Sequence, residues 1–217
     1  MNSTHTLPTN ATEKKPIARK AGGASYIIAK IVRVVTVPPV MVGTLILLLS
    51  AMRPDVVTSL GESLLALLFL AILPVLAYPV SALIPSVRAK GRDGQRNLAF
   101  VFSAIGYTGG VVYALAAGVN TSLAVIFWTY FISVILLTLL NKVIRVKASG
   151  HACSIAGPIG LVCYFLPPIL IPVCPALYGV IFWASVRMGR HTVREFILGS
   201  ITSPLALAMV ALTAALL

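Results

Sequence analysis

The chain has 217 residues, of which 59% are hydrophobic and only 10% charged, and its mean hydropathy is +0.99. Soluble domains carry about 25% charged residues, so this composition excludes an ordinary water-soluble globule. The net charge of +12 comes from 17 Lys and Arg against 5 Asp and Glu. It is spread over segments between apolar runs, which argues against a soluble nucleic-acid-binding domain.

Residues 1–27, with Pro8, Pro16, Gly22 and Gly23, are expected to form a polar basic tail, with no secretory signal. A transmembrane helical domain is expected over residues 28–217. A hydrocarbon core of about 30 Å takes roughly 20 apolar residues as a helix. Span one is placed at Ile31–Met52 and span two at Ser63–Ile84, followed by a basic connector, Pro85–Arg96. Spans three and four are Leu98–Val119 and Ser122–Leu140, and a second basic connector runs from Asn141 to His151. The apolar stretch Ala152–Val186 would measure about 52 Å as one helix, too long for a single crossing. Pro167, Pro168, Pro172 and Pro175 cluster in its middle, so it is expected to divide into two short spans or a re-entrant pair. A third basic stretch, Arg187–Arg194, leads into the last span, Phe196–Leu217. The expected fold is all-α, a polytopic transmembrane bundle of six to seven spans.

Parity tests this segmentation. With seven spans, the tail and all three basic connectors share one face, and every Lys and Arg except Arg53 falls there. Positive charge in short loops marks the cytoplasmic side. The expected location is therefore a cell membrane, with that face cytoplasmic and the C-terminus outside. For Lys14, Lys15, Arg19, Lys20, Lys30 and Arg33 the expected role is anchoring to anionic headgroups.

Histidines give the connectors a sharper meaning. His5 lies in the tail, but His151 and His191 both sit in basic connectors near helix starts. Their settings are Lys147-Ala148-Ser149-Gly150-His151 and Arg187-Met188-Gly189-Arg190-His191-Thr192-Val193-Arg194-Glu195. The first connector adds Lys90, Arg92, Asp93 and Arg96. Free N–H groups at helix starts, cations and imidazoles together suit an anion, above all phosphate. Two histidines and two carboxylates, Asp93 and Glu195, do not make a convincing metal cage, and no metal or cofactor is expected.

These residues resemble the type 2 phosphatidic acid phosphatase and haloperoxidase superfamily, in its membrane lipid phosphatase branch. Ser149-Gly150-His151 is similar to the family's second motif. His191 followed after three residues by Glu195 is similar to the end of the third, and Gly189-Arg190-His191-Thr192 to a bacterial form of it. Lys90 to Arg96 approximates the first motif, one residue short, and the resemblance covers about Lys90 to Ser200. The chain departs from the pattern at Ser185, where the third motif has Arg, at Glu195, where it has Asp, at Ala148, where the second has Pro, and at Asn97, where Pro would follow Arg96.

The resemblance implies a metal-independent hydrolase of lipid phosphates or isoprenoid diphosphates working through phosphohistidine. In that scheme His191 is the nucleophile, Glu195 orients it, and His151 is the acid and then the base. Lys90, Arg96, Ser149, Gly150, Arg187 and Arg190 hold the phosphate oxygens. The expected partners are a lipid phosphate substrate and membrane lipids, with no nucleic acid. A degenerate member that binds headgroups without turnover is the alternative within the fold. A small transporter or scaffold would instead call for ionisable residues in mid-span. Gly106 and Gly110 are expected to serve helix packing. Cys153, Cys163 and Cys174 are expected to be ordinary buried residues without a disulfide.

Overall fold

A computed structural model describes residues 23–216. His5, Lys14, Lys15, Arg19 and Lys20 of the basic tail lie outside the described residues, as does Leu217 at the end of the last expected span. All regular structure within the described residues is helical: α1 (Ala24–Val35), α2 (Pro38–Met52), α3 (Leu60–Leu83), α4 (Pro85–Ala89), α5 (Gly91–Ala117), α6 (Thr121–Val143), α7 (Gly150–Phe165), α8 (Val173–Arg187) and α9 (Val193–Ala215). The fold is an all-α helical bundle.

Five of these helices are long and apolar enough to cross a membrane: α3, α5, α6, α9, and α8 with the 3₁₀ turn Pro168–Leu170 that leads into it. Helices α1 and α2 meet at 56° and make a sixth candidate if they count as one span. Helix α7 is apolar but only 16 residues long, about 24 Å. The division of Ala152–Val186 follows the proline argument, with α7 ending at Phe165 and α8 beginning after Pro172.

The first expected span is corrected. Residues Ile31–Met52 form no continuous helix, because Pro38 and Pro39 open a new one at its first turn and Val37 before them is extended (ψ 149°). The residue before proline is driven out of the helical region, so the chain turns there. Helix α1 ends where Thr36 donates its hydroxyl to the Val32 carbonyl at 2.7 Å. It is strongly amphipathic: Ala29 is buried, while Ile27, Ile28, Ile31, Val34 and Val35 are exposed. The tail boundary moves too, since residues 24–27 belong to this helix. The first connector is likewise mostly helical, so Arg92 and Arg96 sit in the opening turns of α5.

The two ends of the bundle differ. At one end Arg53 pairs with Asp55 through contacts of 2.7 and 2.8 Å and also donates to the Phe165 carbonyl. Asn120 caps α6 through the Leu123 amide and donates to the Val56 carbonyl at 3.0 Å. These bonds tie three loops together and neutralise that end's described cation. Arg33, Arg92, Arg96 and Arg190 gather around one cavity at the opposite end, with Lys142 and Lys147 beside it.

Between the ends, Leu45, Ile46, Leu70, Leu123, Ile126 and Phe127 form a continuous core, each 1% exposed or less. Glycine lets the helices approach. A Cβ on Gly106 would sit 2.5 Å from the Phe69 carbonyl oxygen and 3.3 Å from the Leu73 Cβ, and one on Gly110 would press into the Phe127 ring. Gly106→Leu is therefore expected to destabilise the protein by about 1–3 kcal/mol, the usual cost of overpacking. Gly179→Leu, where nothing lies within 4 Å, should leave thermal unfolding in detergent unchanged. Equal unfolding temperatures for the two variants would contradict the α3–α5 packing.

Candidate functional site: a cationic cavity holding two histidines

Backbone contacts between two helix starts build the site. Ser149 caps α7, its hydroxyl accepting the Ala152 amide at 3.2 Å, and its own N–H donates to the Glu195 carbonyl of α9 at 2.8 Å. Gly199, one turn further along α9, lies directly against the Ser149 backbone, and a Cβ there would overlap the Ser149 carbonyl oxygen. The approach to Ser149 is held by Asn141, whose side chain accepts the Ala148 N–H at 3.2 Å and donates to the Ala148 carbonyl at 3.1 Å. Below this junction, Ser203 on α9 donates to the Cys153 carbonyl at 2.9 Å. The starts of α7 and α9 are thus locked side by side. His151, second residue of α7, and His191, just before the α9 cap, are drawn to one place.

That place is a cavity of about 350 Å³. Its polar end is lined by His151, His191, Gly150, Arg33, Arg92, Gln95, Arg96 and Arg190, with Tyr78 beside them. No carboxylate occurs among the described lining residues. Along α5 the lining recurs at Arg92, Arg96, Ala99, Ser103 and Tyr107, one face of a helix. From Arg96 to Tyr107 is eleven residues, so the cavity runs about 16 Å into the bundle, past Leu70, Ala71, Pro74 and Val134. The cavity is cationic at the bundle end, and further in apolar side chains alternate with the hydroxyls of Ser103, Tyr107, Tyr130, Ser133 and Ser203.

The residues singled out in the sequence fall into two groups. His151, His191, Gly150, Arg96 and Arg190 line the cavity. Gly150 and His151 are the first two residues of α7, whose N–H groups have no partner within the helix. Glu195 stands behind His191, with its Oε2 3.6 Å from Nδ1. That separation is a near contact rather than a hydrogen bond. The same carboxylate closes a capping box with Thr192, accepting the Thr192 N–H at 3.2 Å while Thr192 Oγ1 accepts the Glu195 N–H at 3.1 Å. Ser149, Arg187 and Lys90 do not line the cavity. Ser149 is buried away from the cavity, its oxygen accepting the Ala152 N–H, Arg187 donates to Ser25 of α1 at 3.2 and 3.3 Å, and Lys90 is exposed at the turn before α5. Ser185 is fully buried without a hydrogen-bond partner and does not line the cavity, whereas Arg190 does.

Two cavity residues needed more than connector charge to find. Arg92 lies four residues before Arg96, on the same face of α5, whereas Lys90 precedes the helix. Arg33 follows Ala29 by four residues and precedes Thr36 by three, the inner stripe of an amphipathic helix. Both spacings are legible once a helix is assumed there. A smaller neighbouring cavity of about 260 Å³ carries Asp93, Arg96, Lys142 and Lys147. The three cysteines are free, as expected, but Cys163 is exposed rather than buried. Among the described residues no group of three or more His, Cys, Asp or Glu is placed to hold a metal.

Compared with known proteins, the sequence matches no family model, and no curated protein or solved structure is found to be similar to it.

Burial, and then the positive charge of Arg33, push the His191 imidazole down to about 4; Arg96 adds to the depression and Glu195 opposes it. His191 is therefore neutral, with an available lone pair, throughout the physiological range. The unfolded chain, with a histidine near 6.5, takes up that proton earlier. The stability tied to neutral His191 is thus intact above about pH 6.5 and is lost as pH falls toward 4. Ring-nitrogen NMR should show His191 titrating near pH 4. Glu195→Gln, which keeps a capping-box residue, should move the midpoint lower still. A wild-type midpoint near 6.5 would contradict the burial of this ring among arginines.

Proposed function

We propose that the protein is an integral-membrane hydrolase of lipid phosphates or isoprenoid diphosphates, a divergent member of the type 2 phosphatidic acid phosphatase and haloperoxidase superfamily. One observation carries the reading: two histidines share a cavity with four arginines and, among the described lining residues, no carboxylate. Guanidinium groups gathered without counter-charge, Arg33 half-buried and the other three exposed, favour an anion, and their planar fork matches phosphate oxygens. Apolar side chains behind the polar end, Leu70, Ala71, Pro74 and Val134 among them, suit a ligand with an apolar portion next to its phosphate. The positive-inside bias assigns this end of the bundle to the cytoplasmic face.

The chemistry follows from the residues. The neutral His191 ring attacks phosphorus through Nε2, the nitrogen away from Glu195. The Nε2–P bond forms as the bond from phosphorus to the leaving oxygen breaks, and His151 gives that oxygen its proton. Buried His151 Nε2 has no protein partner, and an entering dianion favours protonation of this ring. Neutral His151 then takes a proton from water, the water oxygen attacks phosphorus, and the Nε2–P bond breaks to release phosphate. Arg33, Arg92, Arg96 and Arg190 carry the charge on the equatorial oxygens, where fixed donors in a water-poor site contribute most. Glu195 steadies His191 through the capping box, so the extra methylene relative to Asp is taken up by a helix cap.

Phosphate release from a panel of lipid phosphates by the reconstituted protein, with EDTA present, tests this. His191→Ala should abolish turnover, and His151→Ala should slow it by about 10²–10⁴-fold, the usual contribution of a general acid and base. No turnover by the wild type on any lipid would mean a headgroup-binding protein without catalysis, and turnover surviving His191→Ala would overturn the mechanism.

A further inference from the structure

The inference concerns Arg33 and rests on the reading of the cavity as a phosphate site. Arg33 is brought to the histidines by α1, which bears no other part of the cavity's polar end. A headgroup anchor would turn its guanidinium outward. Here Nη1 is buried, has no hydrogen-bond partner and belongs to a side chain lining the cavity. Arg92 and Arg190 both act on it as like charges. An unpartnered guanidinium nitrogen amid like charges is a costly arrangement unless an anion completes it.

The rest of α1 accounts for how the arginine is held there. Ile27, Ile28, Ile31, Val34 and Val35 are exposed at helical spacing on its other side, a stripe suited to the acyl boundary of a bilayer. Its first turn is fastened to α8 through Ser25 and Arg187, and the bend at Pro38 sets its angle to α2. The helix thus lies with one face for lipid and one arginine for the site.

We infer that Arg33 is a phosphate-binding residue, delivered by a membrane-surface helix to close the anion site over His151 and His191 with its guanidinium on the phosphoryl oxygens. A bound phosphate then links α1 to α5 and to the starts of α7 and α9, and α1 should become less mobile when the site fills.

The full chain in lipid nanodiscs can be titrated with inorganic phosphate and, separately, with a short-chain phosphatidic acid. Histidine ring shifts report binding, and hydrogen exchange of residues 24–35 reports α1. Arg33→Gln should weaken binding of either ligand at least about tenfold, as expected for loss of a charge-assisted pair, and should abolish the ligand-induced protection of α1. Arg33→Lys should fall between Arg33→Gln and wild type, with its shift spectrum unchanged in the absence of ligand. Tighter wild-type binding of the lipid than of inorganic phosphate would identify a headgroup as the source of the anion. Equal affinity of wild type and both variants would overturn the role of Arg33 while leaving the phosphate site intact. Absence of binding of either ligand by the wild type would overturn both.

Discussion

The site depends on one close approach, that of α9 against the start of α7. Gly199 has no side chain, so the Ser149 backbone can lie on it, and the Ser149 N–H reaches the Glu195 carbonyl. A methyl group at Gly199 would have to displace the backbone that carries Gly150 and His151. The same turn of α9 holds the capping box of Thr192 and Glu195, which fixes the chain just after His191. Two histidines forty residues apart in sequence are therefore placed by backbone contacts rather than by bonds to their rings. That leaves the rings free for a ligand.

Charge sets the second constraint. Arginines collected at one end of an apolar bundle repel one another, and of the four only Arg33 is half-buried, while Arg92, Arg96 and Arg190 are exposed. Sites that keep such an arrangement are commonly functional, with perturbed titration as its signature. His191 carries that signature: burial lowers it most, and Arg33 and Arg96, which would hold an anion, lower it further. The neighbouring cavity sets one carboxylate, Asp93, among Arg96, Lys142 and Lys147 and holds no histidine. At the far end, Arg53 is matched by Asp55 and by loop bonds, a structural ion pair at the surface.

Much of this was legible in the sequence because lipid and proline act locally. Apolar length identified the helices, the proline cluster divided Ala152–Val186, and Gly106 and Gly110 marked a crossing. His151, His191, Arg96 and Arg190 followed from charge and imidazole sharing one face. What escaped depended on how the connectors fold. Lys90 and Arg92 are two residues apart, but only one falls on the inner face of α5, whose first residue, Gly91, is left-handed (φ 55°). Ser149 looked like a phosphate donor, yet it is buried beside α9 and does not line the cavity. Arg33 looked like an interfacial anchor because span one was taken as continuous. The break at Pro38 and Pro39 turns α1 by 56° from α2, and that turn converts an expected anchor into a cavity residue.

The account stands most directly on whether His191 takes a phosphoryl group. Protein incubated with a lipid phosphate, quenched within milliseconds and digested, can be searched by mass spectrometry for phosphate that is labile to acid and stable to base. The account predicts such a label on the peptide bearing His191, present in wild type and missing in His191→Ala. Turnover with no label at His191, or with the label on another residue, would contradict it.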